Sequence, residues 1–219
     1  MRRNMRIIVA IACLTLPILA CQAMMGVGAN KLPLGDDFSS RQWGTGTDSD
    51  SSVEYADNAL HMVVSKKNHF VWSAPNDQSY QNVHIEATVI NNGTDETTAF
   101  GILCDKQTGT NGFYYMAITP AGQYAIVKSA EGQSDVFLTG DNQWTVSEAI
   151  PKDAASYHIG ADCGNGTVTL YVEGQQIASV SDPAYTRGGV GLFVWSGEDA
   201  TKTDISFDDF LMTALTEPK

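Results

Sequence analysis

The chain has 219 residues, 43% of them hydrophobic and 17% charged, with a formal net charge of −12. That length supports one globular domain with a sizeable core, or two small ones. The acidic balance excludes the nucleic-acid binders, which need positive surface to meet phosphate.

In chain order, the first twenty residues stand apart. Arg2, Arg3 and Arg6 precede the short apolar run IIVAIACLTLPILA (7–20), which reads as a secretory leader and is too short for a convincing membrane span. Taking the three arginines from 13 basic residues leaves 10 against 25 acids, so the exported part carries −15. ILAC (18–21) resembles the lipobox of bacterial lipoproteins, in which the cysteine becomes the lipidated N-terminus. It carries Ile18 where Leu is commoner, and a plain leader with an incidental cysteine is the other reading. On the lipobox reading Cys21 is the lipidation site. The protein is then exported to the cell surface or periplasm and held on a membrane by its lipid anchor only. Residues 21–35, small and proline-bearing, read as lipidated N-terminus and tether, and 36–219 as the exported domain.

From Asp36 onward, runs rich in β-branched and aromatic residues recur: ALHMVVS, HFVWSA, VHIEATVI, AFGILC, GFYYMAIT, QYAIVK, SYHIGADC, GTVTLYVEG, QQIASV, GGVGLFVWS and DISFDDFLM. Turn residues separate them and helical periodicity is almost absent, which implies an all-β, two-sheet antiparallel sandwich or a barrel. The stretch 129–156 is the least regular and has room for one short helical turn. In VHIEATVI the residues Val83, Ile85, Ala87 and Val89 alternate with His84, Glu86 and Thr88, so one face is core and the other wet. In GGVGLFVWS, Val190, Leu192 and Val194 look like core, yet the opposite face carries Phe193 and Trp195.

Cys104 and Cys163 are the two cysteines of the exported part, and each shares strand parity with inward-facing apolar residues. A disulfide between them is the natural reading in an oxidising compartment, with two free buried thiols as the alternative. The hairpin around TPAGQ (119–123) sets its own register. Pro120 suits the first loop position and Gly122 the left-handed third, so Thr119 pairs Gln123, Ile118 faces Tyr124 and Met116 faces Ile126. Tyr114, Met116, Ile118, Tyr124 and Ile126 then form a core stripe. Phe113, Tyr115, Ala117, Ala125 and Val127 form a second face that solvent would not normally select.

Taken together, GDDFSSRQWG, the central AFGILC and NGFYYMAITPAGQYAIVK block, TVTLYVEGQQIASV, GGVGLFVWSG and ISFDDFLM resemble the concanavalin A-like lectin/glucanase jelly rolls. Among them, the lipoprotein-borne domains related to laminin G-like and three-keto-disaccharide hydrolase-like modules are the nearest in pattern. The resemblance covers about residues 35–213. It implies two antiparallel sheets, one concave, with the terminal strands side by side. It does not fix function, because lectins, glycosidases, adhesion modules and structural domains share the fold.

Glycosidase chemistry needs two carboxyl groups flanking the bond. The glucanases of this resemblance place them as Glu-x-Asp-x-x-Glu on one strand. Here the nearest run, Glu86 to Asn91, keeps only the first, so catalysis of that kind is disfavoured. No Gly-x-Ser-x-Gly or His-Glu-x-x-His occurs, and His61, His69, His84 and His158 are scattered. Asp36–Asp37 and Asp208–Asp209 offer oxygen ligands for a structural calcium, with a strand-end turn and a β-bulge as the plainer readings. No other cofactor or metal is implied.

The remaining signal is aromatic. The expected ligand-binding set is Phe113, Tyr115, Phe193, Trp195 and Trp72, joined by His84 and Glu86 on one concave sheet. Stacking platforms beside hydrogen-bonding groups suit a carbohydrate or cell-envelope ligand. The sequence reading is therefore a non-catalytic, ligand-binding lipoprotein. The alternatives are a structural or protein-interaction module with these aromatics internal, and a glycan-modifying enzyme of glycosidase or three-keto-glycoside hydrolase type.

Overall fold

The computed structural model describes residues 31–198 and 202–215. The leader, the lipidation site Cys21 and the tether as far as residue 30 lie outside the described residues. Sixteen strands follow in order: β1 (Leu34–Asp36), β2 (Gly46–Thr47), β3 (Ser51–Ala56), β4 (Ala59–Val64), β5 (Phe70–Ser73), β6 (Val83–Asn91), β7 (Ala99–Lys106) and β8 (Phe113–Ile118). Then come β9 (Gln123–Ser129), β10 (Val136–Phe137), β11 (Thr145–Val146), β12 (Ser156–Gly164), β13 (Thr167–Val172), β14 (Gln175–Ser181), β15 (Gly189–Trp195) and β16 (Thr203–Ala214). No helix occurs among the described residues. The stretch 129–156 forms the short strands β10 and β11, both paired with β9.

The strands make two antiparallel sheets. One has nine strands ordered β14-β13-β12-β6-β16-β4-β3-β2, with β1 also on β16; the other has seven, ordered β10-β9-β8-β7-β15-β5, with β11 also on β9. The first and last strands are thus neighbours, as the resemblance implied. Asp209 has φ +49 and the β16–β6 register shifts between Asp208 and Leu211, which is the bulge expected at the acidic pair. Asp36 accepts hydrogen bonds from the Phe38 amide and from the Trp43 indole, and so closes the turn after β1.

Alternation decides what lies between the sheets. Val83, Ile85, Ala87 and Val89 of β6 and Val190, Leu192 and Val194 of β15 are buried in one continuous core, together with Tyr114, Met116, Ile118 and Ile126. Tyr124 packs against that core only partly buried. Apolar surface removed from water on this scale is the main term holding the sandwich together. The Cys104–Cys163 disulfide crosses the core, joining β7 of one sheet to β12 of the other, with the Cα atoms 6.5 Å apart.

The β8–β9 hairpin has the register its turn demands. Ile118 pairs Tyr124 and Met116 pairs Ile126, the Gly122 amide donates to the Thr119 carbonyl at 3.0 Å, and Gly122 sits at φ +81. A left-handed third position is where glycine belongs. The consequence is a seven-stranded sheet that is apolar on both sides.

Candidate functional site

The outer face of that sheet carries a second apolar cluster, separate from the main core. Ala99, Leu103, Ala117 and Phe193 are buried in it, and Phe70, Phe113, Tyr115, Trp144 and Trp195 pack over them only partly buried. Strand register assembles it. Phe193 of β15 lies opposite Gly101 of β7, Trp195 lies opposite Ala99, and Gly101 pairs with Ala117 of β8. Small residues at Ala99, Gly101 and Ala117 therefore leave room for the large rings beside them. Gly101 is fixed by contact: a Cβ there would come within 1.9 Å of the Met116 carbonyl oxygen and 3.1 Å of the Phe193 ring.

The rings form a network. Phe70 stacks on Phe193 with centroids 4.8 Å apart and planes 13° off parallel, and Tyr115 meets Phe193 edge-on at 5.3 Å. Phe113 touches both Phe70 and Tyr115. From the segment between β10 and β11, Trp144 lies over Trp195 at 6.5 Å and Phe137 meets Trp144 edge-on. Between these groups is a cleft of about 630 Å³, rimmed by Asn68, Ser129, Asp135, Asn142, Gln143 and Glu198. Tyr115 donates its hydroxyl to Asp135 at 2.8 Å. Burial, and then the Asp135 carboxylate, push the Tyr115 phenol well above its ordinary value, so it stays a neutral donor.

Four expected ligand residues, Phe113, Tyr115, Phe193 and Trp195, thus line one cleft. Their exposures differ: Phe193 is 0% exposed and supports the floor, while the other three present part of a ring. Trp72 shares this face, paired opposite Phe193, and is 42% exposed, but it lies outside the cleft with the Lys106 ammonium 4.8 Å above its ring.

His84 and Glu86 are a correction. They belong to β6 of the nine-stranded sheet, so the whole core separates them from the aromatic rings. Alternation put them on a wet face correctly, but strand pairing decides which sheet that face belongs to. There they form a polar cluster of their own. His84 bonds Asp162 through Nδ1 at 2.6 Å and reaches Glu86 through Nε2 at 3.2 Å, and Tyr171 donates to Asp162 at 2.7 Å. The bond to Asp162 raises the His84 pKa above its ordinary value, against the opposing effect of partial burial. Burial alone would raise Asp162, but hydrogen bonds from His84 and Tyr171 outweigh it and hold the carboxylate low.

Sequence reasoning missed Phe70, Phe137 and Trp144. Phe70 was reachable, since it stands two residues before Trp72 on the same parity. Phe137 and Trp144 sit in a stretch without alternation, where no periodic signal exists. Among the described residues no group of three or more His, Cys, Asp or Glu could hold a metal ion.

No family model matches this chain and no curated protein matches it in sequence. Solved structures do match in shape. The carbohydrate-binding module CBM66 from Bacillus subtilis superposes with TM-score 0.53 at 14% identity, over 79% of this chain and 96% of its own. A beta-glucanase from Bacillus licheniformis gives 0.54 at 10% identity, over 83% and 97%. A Bacteroides ovatus mixed-linkage-glucan enzyme of glycoside hydrolase family 16 gives 0.57 at 12%, over 82% and 99%. The domain therefore has the concanavalin A-like jelly-roll fold.

Proposed function

We propose that this is an exported, lipid-anchored domain that binds carbohydrate without cleaving it. The observation that carries the reading is the aromatic cleft on the outer face of the seven-stranded sheet. Half-exposed rings of Phe70, Phe113, Tyr115, Trp144 and Trp195 stand beside the amides of Asn68, Asn142 and Gln143. Sugars present apolar C–H faces and hydroxyl rims, and this lining meets both. The carbohydrate-binding and glucan-cleaving proteins of the same fold are consistent with that ligand class. Export and anchoring rest on the leader and on ILAC (18–21), and replacing Cys21 by Ser should abolish incorporation of a labelled fatty acid.

One observation favours a second reading, a glycan-cleaving enzyme: two carboxylates, Asp135 and Glu198, line the same cleft. Against it, Asp135 is tied to the Tyr115 hydroxyl.

A glycan array probed with the wild type, Tyr115→Ala and Trp195→Ala separates these readings. Binding by the wild type that both variants lose supports the glycan site. Unchanged binding in both variants sinks it. Release of reducing ends from a bound glycan, abolished by Glu198→Gln, replaces it with the enzyme reading.

A further inference from the structure

Trp72 is the one expected ligand residue that reaches the aromatic face without entering its cleft, and its surroundings explain why. It stands on β5, the edge strand, as a wall common to two further depressions. One of about 360 Å³ includes Lys106, Asn111, Phe113, Ser129 and Glu131 in its lining. The other, of about 670 Å³, lies between β5 and the β2–β3 edge and includes Gln42, Thr45, Thr47, Asp48 and Asp77. The smaller depression shares Phe113 and Ser129 with the aromatic cleft. Three hollows are thus joined in series, with Phe113 and Ser129 at the first junction and Trp72 at the second.

The geometry sets a length. On β7, Ala99 lines the aromatic cleft and Lys106 lines the next hollow, a span of roughly 20 Å at the usual strand rise. That is too long for a single sugar ring. The charges set a class. Carboxylates occur in each hollow: Asp135 and Glu198 in the first, Glu131 in the second, Asp48 and Asp77 in the third. Among the described lining residues the one lysine or arginine is Lys106, placed over the Trp72 ring. An anionic chain would meet carboxylates in every hollow and a single opposing cation, at Lys106.

We propose that the aromatic cleft and the hollows around Trp72 form one continuous track for an extended neutral oligosaccharide, with Trp72 as its outer stacking platform. This rests on reading the aromatic cleft as a glycan site. Near the cleft, Trp144 and Trp195 hold the first sugar units. Units further along the chain reach Trp72, and the acidic rim keeps uronic-acid or sulfated chains off.

The test is calorimetric titration of the full-length chain with neutral gluco-, manno-, galacto- and fructo-oligosaccharides from disaccharide to hexasaccharide. Oligogalacturonates of matching length serve as the anionic comparison. Trp72→Ala and Trp195→Ala are the variants, with thermal unfolding of each to verify the fold. In the wild type, affinity should climb with chain length. Trp72→Ala should weaken the hexasaccharide by roughly tenfold, the order of one stacking contact, and leave the disaccharide unchanged. Trp195→Ala should weaken both. Affinity independent of length, Trp72→Ala binding long chains as the wild type does, or oligogalacturonate binding as tightly as a neutral chain would each overturn the track while leaving a glycan site in the cleft. If no oligosaccharide binds the wild type, the track and the reading beneath it both fall.

Discussion

Asp105 is an expensive residue where it stands, and replacing it by Asn should stabilise the protein in a pH-dependent way. It lies near the end of β7 at 5% exposure and at φ +53. Burial pushes its pKa from 3.8 up to about 7. The sign follows from proton binding. Between pH 4 and 7 the folded carboxyl holds a proton that the unfolded one has lost, so stability falls as pH rises through that window and is flat above it. A rise from 3.8 to about 7 corresponds to roughly 4 kcal/mol when complete. Asn removes the charge, keeps the shape and tolerates the left-handed backbone. At pH 8 Asp105→Asn should therefore gain about 2–4 kcal/mol, read as a rise in Tm of roughly 5–12 °C. Near pH 4 the two proteins should unfold together. Calorimetry across pH 4 to 9 checks this. A variant no more stable than the wild type at pH 8, or a difference that does not change with pH, refutes the reasoning.

Two other features of the frame can be probed by substitution. Cys104→Ala opens a bridge spanning 59 residues, and the chain-entropy model puts the loss at about 4 kcal/mol. Adding Cys163→Ala should then cost at most about 1 kcal/mol more; urea unfolding in which the two changes are simply additive would mean that the bridge contributes little. On the far sheet, the His84–Asp162 pair gives stability with two limits. The raised His84 contributes fully below its ordinary 6.5 and loses this as pH rises through its native value, while the lowered Asp162 contributes above 3.8 and loses this as pH falls. The Tm difference between the wild type and His84→Gln should accordingly be largest around pH 5–6 and shrink toward alkaline pH. A difference that grows above pH 8 would contradict it.

Much of this was legible in the residues. Strict alternation in VHIEATVI fixed a core face because a one-residue slip would bury His84 and Glu86. Pro120 and Gly122 fixed a hairpin register because their backbone angles leave little choice. The parity of Cys104 and Cys163 pointed both sulfurs inward, which a bridge across the core needs. What alternation cannot supply is which strands become neighbours. His84 and Phe113 are both on the face away from the core of their own strand, and nothing local to either strand says that these faces belong to different sheets. β10 and β11 are two residues long, below the length at which any period can be read. Trp144 was hidden for that reason, although it closes one side of the cleft.

The aromatic layer also admits an internal role, and the segment that covers it decides how far that goes. A true second core would be sealed by an apolar lid. The connection SAEGQSDVFLTGDNQWTV (129–146) is mostly polar. Of its large apolar side chains Val136 and Val146 are 45% and 56% exposed and Leu138 packs against the main core, leaving Phe137 and Trp144 to cover the rings. Its polar residues Asp135, Asn142 and Gln143 border the cleft. The layer is therefore a floor that belongs to folding and a rim that does not, and substitutions should divide accordingly. Phe193→Ala removes a wholly buried ring stacked on Phe70 and should cost about 3–5 kcal/mol. Asn142→Gly, which suits the left-handed backbone at φ +73, and Gln143→Ala alter exposed groups at the cleft mouth and should leave stability within about 0.5 kcal/mol, while weakening any ligand that the cleft holds. Urea unfolding and ligand titration on the same three variants measure both quantities. If the rim variants unfold as readily as Phe193→Ala, the segment is a structural lid and the face beneath it is core.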